Sequence, residues 1–121
     1  MNQNENQKTL ARYIYTRSQF RASDHTVKYS AFIPPEDRRL SVFRIAGLQD
    51  VEIWEIGERL RSQTLLARAD IEPALVKTIG LGIEADEVPP RHANIIGWPE
   101  EESAIKLKAM ELAKEAELQL K

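Results

Sequence analysis

The sequence predicts a single α+β domain with a mixed or mainly antiparallel sheet of about five strands, three to four helices and a long C-terminal helix. Three observations lead to this prediction. The length of 121 residues is that of one domain, and segments of alternating apolar residues are interspersed with segments of helical period. The connections are mostly too short for repeated right-handed parallel crossovers. We assign residues 1–8 to a flexible polar tail and residues 9–121 to the domain.

The N-terminal part of the domain carries one ambiguous pattern and two strand patterns. Residues 10–20 fit a helix or a strand, because apolar and aromatic side chains recur at both spacings, and we favour the helix slightly. Residues 26–33 alternate apolar with polar side chains up to Pro34, which predicts a strand. Residues 40–45 are short, rich in β-branched and aromatic side chains and followed by Gly47, and we predict a second strand there.

The middle of the chain alternates helices with strands. Asp50 can cap a helix whose apolar residues fall at helical spacing. Gly57 weakens that helix by up to about 1 kcal/mol relative to alanine. Residues 65–71 alternate as a strand, and Pro73 suits the first turn of a short helix that ends at Gly80.

The C-terminal part predicts two short strands and the longest helix. The strands cover residues 81–85 and 93–98, and the helix covers residues 100–120. Three glutamates occupy the first turn of this helix, and its apolar residues recur at i, i+4, i+7 and i+11. Its alanines allow close packing on a sheet or on a partner helix, so we expect any homo-oligomer to form through it.

The composition excludes several classes of chemistry. Cysteine is absent, which removes disulfides, thiolate metal sites and thiol nucleophiles. The sequence has no phosphate-binding loop and no G-x-S-x-G motif. His25 and His92 are the two histidines and lie far apart, so no pair of imidazoles falls on one helix face. We therefore predict no metal and no cofactor.

The sequence also predicts where the protein resides. No apolar run approaches the roughly 18 residues that span a bilayer. The N-terminus lacks the apolar segment of a secretory signal. Together with the absence of cysteine, these features predict a cytoplasmic protein without a membrane partner.

Charge is unevenly distributed along the chain. Residues 1–50 hold eight Lys/Arg against five Asp/Glu, whereas residues 51–121 hold nine against fourteen. Such asymmetry can place a basic face opposite an acidic one, although both sets also suit an ordinary solvated surface.

The basic N-terminal part contains the stretch that most resembles an interaction surface. Cations interleaved with aromatic rings suit a protein interface, because Tyr and Arg dominate binding hot spots. They also suit nucleic acid, because cations meet phosphates and rings stack on bases. A third interpretation is that the rings are core and the cations are their solvated opposite face. The residues concerned are Arg12, Tyr13, Tyr15, Arg17, Phe20, Arg21, Lys28 and Tyr29.

A second region of interest is the loop that leads from Pro89 into His92. If the fold brought His25 beside His92, with Arg44 or Arg91 near, these groups could supply the acid, base and phosphate clamp of metal-free RNA cleavage. A histidine after a proline pair is more often a surface or structural residue.

The leading functional hypothesis is therefore a non-catalytic interaction module that binds another protein. An accessory subunit, an antitoxin-like or immunity-like inhibitor and an adaptor are all of this kind. The alternative is a small metal-independent ribonuclease, or another phosphoryl-transfer enzyme, that uses His25 and His92. A second alternative is non-enzymatic nucleic-acid binding through the basic N-terminal half.

Overall fold

The computed structural model describes residues 6–121, which form eight strands and three α-helices. The strands are β1 (Leu10–Ile14), β2 (Phe20–Arg21), β3 (Thr26–Val27), β4 (Leu40–Arg44), β5 (Ala67–Ile71), β6 (Gly82–Ala85), β7 (His92–Ile96) and β8 (Glu117–Leu120). The helices are α1 (Asp50–Leu60), α2 (Pro73–Thr78) and α3 (Glu102–Glu115). Two 3-10 turns cover Arg17–Gln19 and Tyr29–Phe32.

The strands form one large antiparallel sheet and one small hairpin. Within the described residues, the large sheet has six strands in the order β6-β7-β4-β1-β5-β8, and β2 pairs with β3 separately. Every pairing is antiparallel. The predicted α+β class with a mainly antiparallel sheet is confirmed, with one strand more than the five expected for that sheet.

The two faces of the large sheet are covered by different helices. The face that carries Leu10, Val42 and Ala69, which we call the α3 face, packs against Ile105 and Leu112 of α3 in the main core. Strand alternation turns the neighbouring side chains to the opposite side. That side, the α1 face, carries Tyr13 and Phe43 of a second core cluster together with Ile53 of α1. The site described below lies on the α1 face.

Gly57 allows α1 to approach the sheet closely. A β-carbon at this position would lie 2.5 Å from Cδ1 of the Tyr13 ring, which is too short for a non-bonded contact. The weak helix propensity of Gly57 is thus offset by packing. The helix begins at a capping box in which Gln49 and Glu52 bond each other's backbone, so Gln49 and not Asp50 is the N-cap.

The slight preference for a helix over residues 10–20 is wrong. Leu10 and Ile14 are buried on the α3 face, and Tyr13 is buried on the α1 face. Burial on two opposite sides is what alternation in a central strand provides. The helical spacing arises because a short apolar run matches both periods.

The strand predicted over residues 26–33 is observed only at Thr26–Val27. The 3-10 turn that follows buries both Ala31 and Phe32 in the main core. Consecutive side chains of a strand point to opposite faces, so a strand could not place both of them in the same core. The 3-10 turn places both side chains in the main core.

The predicted C-terminal helix is shorter than expected. It ends at Glu115, and the chain then forms β8 against β5 with Leu118 buried. The helical apolar spacing continues through Ala116, so the pattern did not reveal the end of the helix.

Two further predictions concern the ends and the location of the chain. Residues 1–5 of the predicted tail lie outside the described residues, and residues 6–8 are exposed. Along residues 6–121, no helix combines the length and apolar character that crossing a membrane requires.

Candidate functional site

The α1 face has two halves with different cover. Over β1, β5 and part of β4, the apolar side of α1 closes the sheet through Ile53, which packs with Tyr13 and Phe43. Over β7 and its neighbours, alternation turns polar side chains outward, among them His92 and Asn94. This second half holds the densest arrangement of reactive groups in the described part of the chain.

His92 lies at the centre of a hydrogen-bonded relay with Ser41 and Asp86. Its Nε2 is 2.7 Å from Ser41 Oγ, and its Nδ1 is 2.7 Å from Asp86 Oδ1. With Asp86 accepting a hydrogen bond from Nδ1–H, Nε2 of that neutral tautomer carries the lone pair and accepts a hydrogen bond from the Ser41 hydroxyl. Each nitrogen therefore has the partner that a serine–histidine–carboxylate relay requires.

Sheet register brings the three relay residues together. In the β4–β7 pairing, Phe43 lies opposite His92 and Ser41 lies opposite Asn94, so Ser41 is the diagonal neighbour of His92. Diagonal neighbours on one face of an antiparallel pair lie within reach of long side chains. Asp86 follows the end of β6 and approaches His92 from the other side.

The surroundings fix the orientation of the imidazole and the carboxylate. The Phe43 ring packs on the His92 ring with centroids 5.2 Å apart. Asp86 also accepts hydrogen bonds from the Val88 backbone N–H at 3.1 Å and from Asn94 Nδ2 at 3.4 Å. Its hydrogen bond with His92 is the largest cause that lowers the pKa of Asp86. The carboxylate thus stays ionised opposite Nδ1.

The relay is accessible from solvent. The side chain of His92 is 14% exposed and that of Asp86 is 40% exposed. Ser41 is half-buried and lines a cleft of about 130 Å³. A small molecule in this cleft would therefore lie beside Ser41.

The cleft beside Ser41 is electropositive. Arg12 and Arg61 both line it, and no Asp or Glu of the described chain does. Burial is the largest cause that lowers the pKa of Arg12 to about 10, and repulsion by the Arg61 charge is the second. Two guanidinium groups close enough to repel one another favour an anionic group between them.

A larger groove adjoins the cleft. It has a volume of about 400 Å³ and shares Phe43 and Leu60 with the cleft. One wall is α1 and the other is the proline pair of the loop before β7. The remaining lining residues are Leu48, Glu52, Glu55, Ile56, Arg59, Pro89, Pro90 and Arg91.

Arg91 anchors the loop wall of the groove. Its Nη1 donates to the backbone carbonyls of Arg44 at 3.0 Å and Ala46 at 3.2 Å. Glu87 and Arg91 both have positive φ angles, which are uncommon for residues other than glycine. Such backbone conformations persist where the surrounding contacts enforce them.

A second polar cluster lies under α1 on the same face of the sheet. Arg68 Nε donates to Asp70 Oδ2 at 3.1 Å, and Nη2 donates to Asp50 Oδ1 at 3.2 Å. The Trp54 ring lies 4.5 Å from the Arg68 guanidinium carbon. Burial raises the pKa of Asp70 to about 6 in spite of the opposing Arg68 charge. This closed ion pair holds α1 on the sheet.

Half of the predicted interaction surface points into the protein. Tyr13 and Phe20 are buried, and Arg12 and Tyr15 are half-buried. The Arg12 guanidinium donates to the backbone carbonyls of Ala31 and Ser41, and both tyrosine hydroxyls donate to carbonyls of α1. These four side chains therefore do not share an exposed surface, because the rings pack into the protein and the Arg12 guanidinium bonds backbone carbonyls.

The other four residues of that stretch are exposed but lie on separate elements. Arg17 belongs to a 3-10 turn, and Arg21 in the hairpin pairs with Asp24 at 3.3 Å. Lys28 precedes the second 3-10 turn, and the Tyr29 ring lies 4.9 Å from Lys106 Nζ of α3.

The structure does not bring the two histidines together. His25 is exposed in the turn of the β2–β3 hairpin, which packs beside α3 and β8. His92 points to the α1 face of β7, near the opposite edge of the sheet. Arg44 pairs with Glu87, and Arg91 bonds backbone carbonyls. His25, Arg44 and Arg91 therefore lie outside the Ser41–His92–Asp86 relay.

The sequence had no signal for the two partners of His92. Asp86 is one of two adjacent acidic residues and Ser41 is one polar position of a predicted strand, and neither feature distinguishes a reactive residue. Their contact depends on the β4–β7 register, which a single sequence does not display.

Comparison with protein-family models, with curated proteins and with solved structures finds no match for this chain. Within residues 6–121, no group of three or more His, Asp or Glu side chains could hold a metal ion.

Proposed function

We propose that this chain is a protein-binding module, and that the groove between α1 and the proline pair receives an extended segment of its partner. The observation that supports this proposal is the groove itself, an apolar channel of about 400 Å³ beside a rigid loop. Volumes in the range of roughly 300 to 1,000 Å³ suit ligands of the size of a few side chains. An accessory subunit, an inhibitor or an adaptor would each use such a groove.

The lining of the groove favours a peptide over a strongly charged ligand. Phe43, Ile56 and Leu60 offer apolar contacts for one or two side chains. Glu55 and Arg59 bring both signs of charge to the rim, where they can meet backbone amide and carbonyl groups of an extended segment. A polyanion such as RNA would gain no net attraction from this lining, because Glu52 and Glu55 balance Arg59 and Arg91.

The groove is tested by selecting peptides from a displayed random library on the folded domain and measuring their affinity by fluorescence anisotropy. Leu60→Asp places a charge on the apolar wall at a side chain that is 37% exposed. We expect it to weaken binding at least about tenfold, the loss of one apolar anchor. Val51→Asp is the matched control, because Val51 is 59% exposed on the same helix and does not line the groove.

Two outcomes would contradict the proposal. One is a selection that yields no peptide, and the other is a set of peptides that bind Leu60→Asp as tightly as they bind the wild type. Equal loss in both variants would also contradict it, because the binding surface would then lie elsewhere.

Self-association through α3 stays a prediction. Leu107 and Met110 are exposed one turn apart on this helix and would carry such a contact. Nucleic-acid binding also stays a prediction, and Arg17, Arg21 and Lys28 are the exposed cations that would serve it.

A further inference from the structure

We propose that Ser41 is a nucleophile activated by His92 and Asp86, and that the chain hydrolyses esters of small anionic carboxylic acids. This activity goes beyond partner binding and does not depend on it. The relay supplies the base, and the neighbouring cleft supplies the charge that selects the substrate.

The relay meets the geometric requirements for nucleophilic catalysis. The nucleophile and the base are 2.7 Å apart, and the base and its orienting carboxylate are 2.7 Å apart. Such distances lie within the hydrogen-bond reach that proton transfer needs. The ring of His92 is held by Phe43, so the imidazole is oriented before a substrate arrives.

The cleft determines the class of substrate. Its volume of about 130 Å³ admits a short acyl group. Arg12 and Arg61 line it together with Ser41, so positive charge stands beside the carbon that the serine would attack. The Arg61 guanidinium can bind a carboxylate on the acyl chain. The Arg12 guanidinium, which already donates to the Ala31 and Ser41 carbonyls, adds fixed positive charge that favours the oxyanion of the tetrahedral intermediate.

The steps balance without a metal or an external redox partner. Ser41 Oγ forms a bond to the acyl carbon while its proton moves to His92 Nε2. The bond to the leaving oxygen then breaks, and that oxygen takes the proton from Nε2. Water attacks the acyl-serine and gives a proton to Nε2, which passes it to Oγ as the carboxylic acid departs.

A relay with a purely structural role would show the same hydrogen bonds, so the reactivity of Ser41 is what distinguishes a nucleophile. The purified protein is incubated with a fluorophosphonate, and the adduct is located by intact mass and peptide mapping. We expect one adduct, on Ser41, and none on the exposed Ser62. Ser41→Ala should abolish it, and His92→Asn should slow it at least about a hundredfold, the lower range for a lost general base.

His25→Asn is the matched control, because His25 is the second histidine, is exposed and has a positive φ angle that asparagine tolerates. It should label at the wild-type rate. No adduct on Ser41, or an adduct that forms equally fast in His92→Asn, would overturn the proposal. The small probe needs no partner segment, so this failure would leave peptide binding in the groove untouched.

Substrate class is tested with two chromogenic esters, p-nitrophenyl acetate and mono-p-nitrophenyl succinate. We expect kcat/KM to favour the succinate ester by about tenfold, the ratio for one charge-assisted contact. Arg61→Ala should erase this preference, and Ser41→Ala should remove hydrolysis of both. A preference for acetate, or one unchanged in Arg61→Ala, would overturn the assignment of anionic acyl esters.

Discussion

The two polar clusters on the α1 face, the Arg68–Asp70 pair and the Ser41–His92–Asp86 relay, occupy the same face of the sheet, but α1 covers only the first. Arg68 and Asp70 lie on β5 beneath α1 and Trp54, and both are buried. Ser41 and His92 lie on β4 and β7, where the groove and the cleft open to solvent. The sealed cluster is closed off by α1 and Trp54, whereas the relay is open to solvent, so one sheet face carries a structural pair and a reactive relay.

This difference shows that the position of α1 determines which polar cluster stabilises the fold and which one a ligand can reach. Burial makes an ion pair sensitive to the loss of either member but leaves no room for a ligand. Partial exposure weakens the contribution of hydrogen bonds to stability but allows a substrate to reach them. We therefore expect substitutions in the sealed cluster to change stability, and substitutions in the relay to change reactivity.

The largest expected effect is on stability, from Arg68→Met. This change leaves the buried Asp70 without its partner, and we expect the free energy of unfolding to fall by about 3 to 5 kcal/mol. Urea denaturation followed by circular dichroism measures it. The double variant Arg68→Met/Asp70→Leu should recover most of the loss, because no unpaired charge remains buried. A loss of less than about 1 kcal/mol in the single variant would show that the pair does not hold α1 in place.

The next effect is a pH dependence due to Asp70. Its folded pKa of about 6 lies above the unfolded value near 3.8, so the folded state binds the proton more tightly. The stabilisation is complete below about pH 4 and is lost as the pH rises through 6. We expect the free energy of unfolding of the wild type, relative to that of Asp70→Asn, to fall by on the order of 2 kcal/mol between pH 4 and 7. A relative free energy of unfolding that instead rises with pH would show that burial does not raise the pKa of Asp70.

The smallest expected stability effect comes from the relay. Ser41→Ala removes one half-buried hydrogen bond to His92, and the free energy of unfolding should fall by about 1 kcal/mol or less. The same denaturation experiment measures it beside Arg68→Met. A loss as large as that of Arg68→Met would mean that the relay is a structural element, and the contrast between the clusters would fail.

Much of the fold could be predicted from local patterns. Residues 65–71 and 81–85 show the alternation of strands, and residues 40–45 show the β-branched and aromatic content of one; the structure contains them as β5, β6 and β4. Pro73 and Gly80 marked the ends of α2, because each residue has a backbone preference that suits one end of a helix. These signals are local and need no tertiary information.

The misassigned elements depend on long-range packing. Residues 10–14 form strand β1 because β4 and β5 pair with it on its two sides. Residues 117–120 form strand β8 instead of continuing the helix, because they pair with the edge of β5. Neither partner strand can be identified from the segment itself.

The candidate site was predicted only at His92 and at the loop that precedes it. Ser41 and Asp86 join it through strand register, and Arg12 reaches the cleft because its guanidinium crosses from β1 to the carbonyl of Ser41. The predicted partner His25 was wrong for the same reason, since its position was set by the hairpin and not by its chemistry.

The most direct measurement is the rate constant for phosphonylation of Ser41 in the wild type and in His92→Asn, with urea denaturation of the same samples. The expected result is a rate at least about a hundredfold lower in His92→Asn, with the variant still unfolding in one cooperative transition. Equal rates in the two proteins, with or without a change in stability, would contradict the account, because His92 would then not activate Ser41.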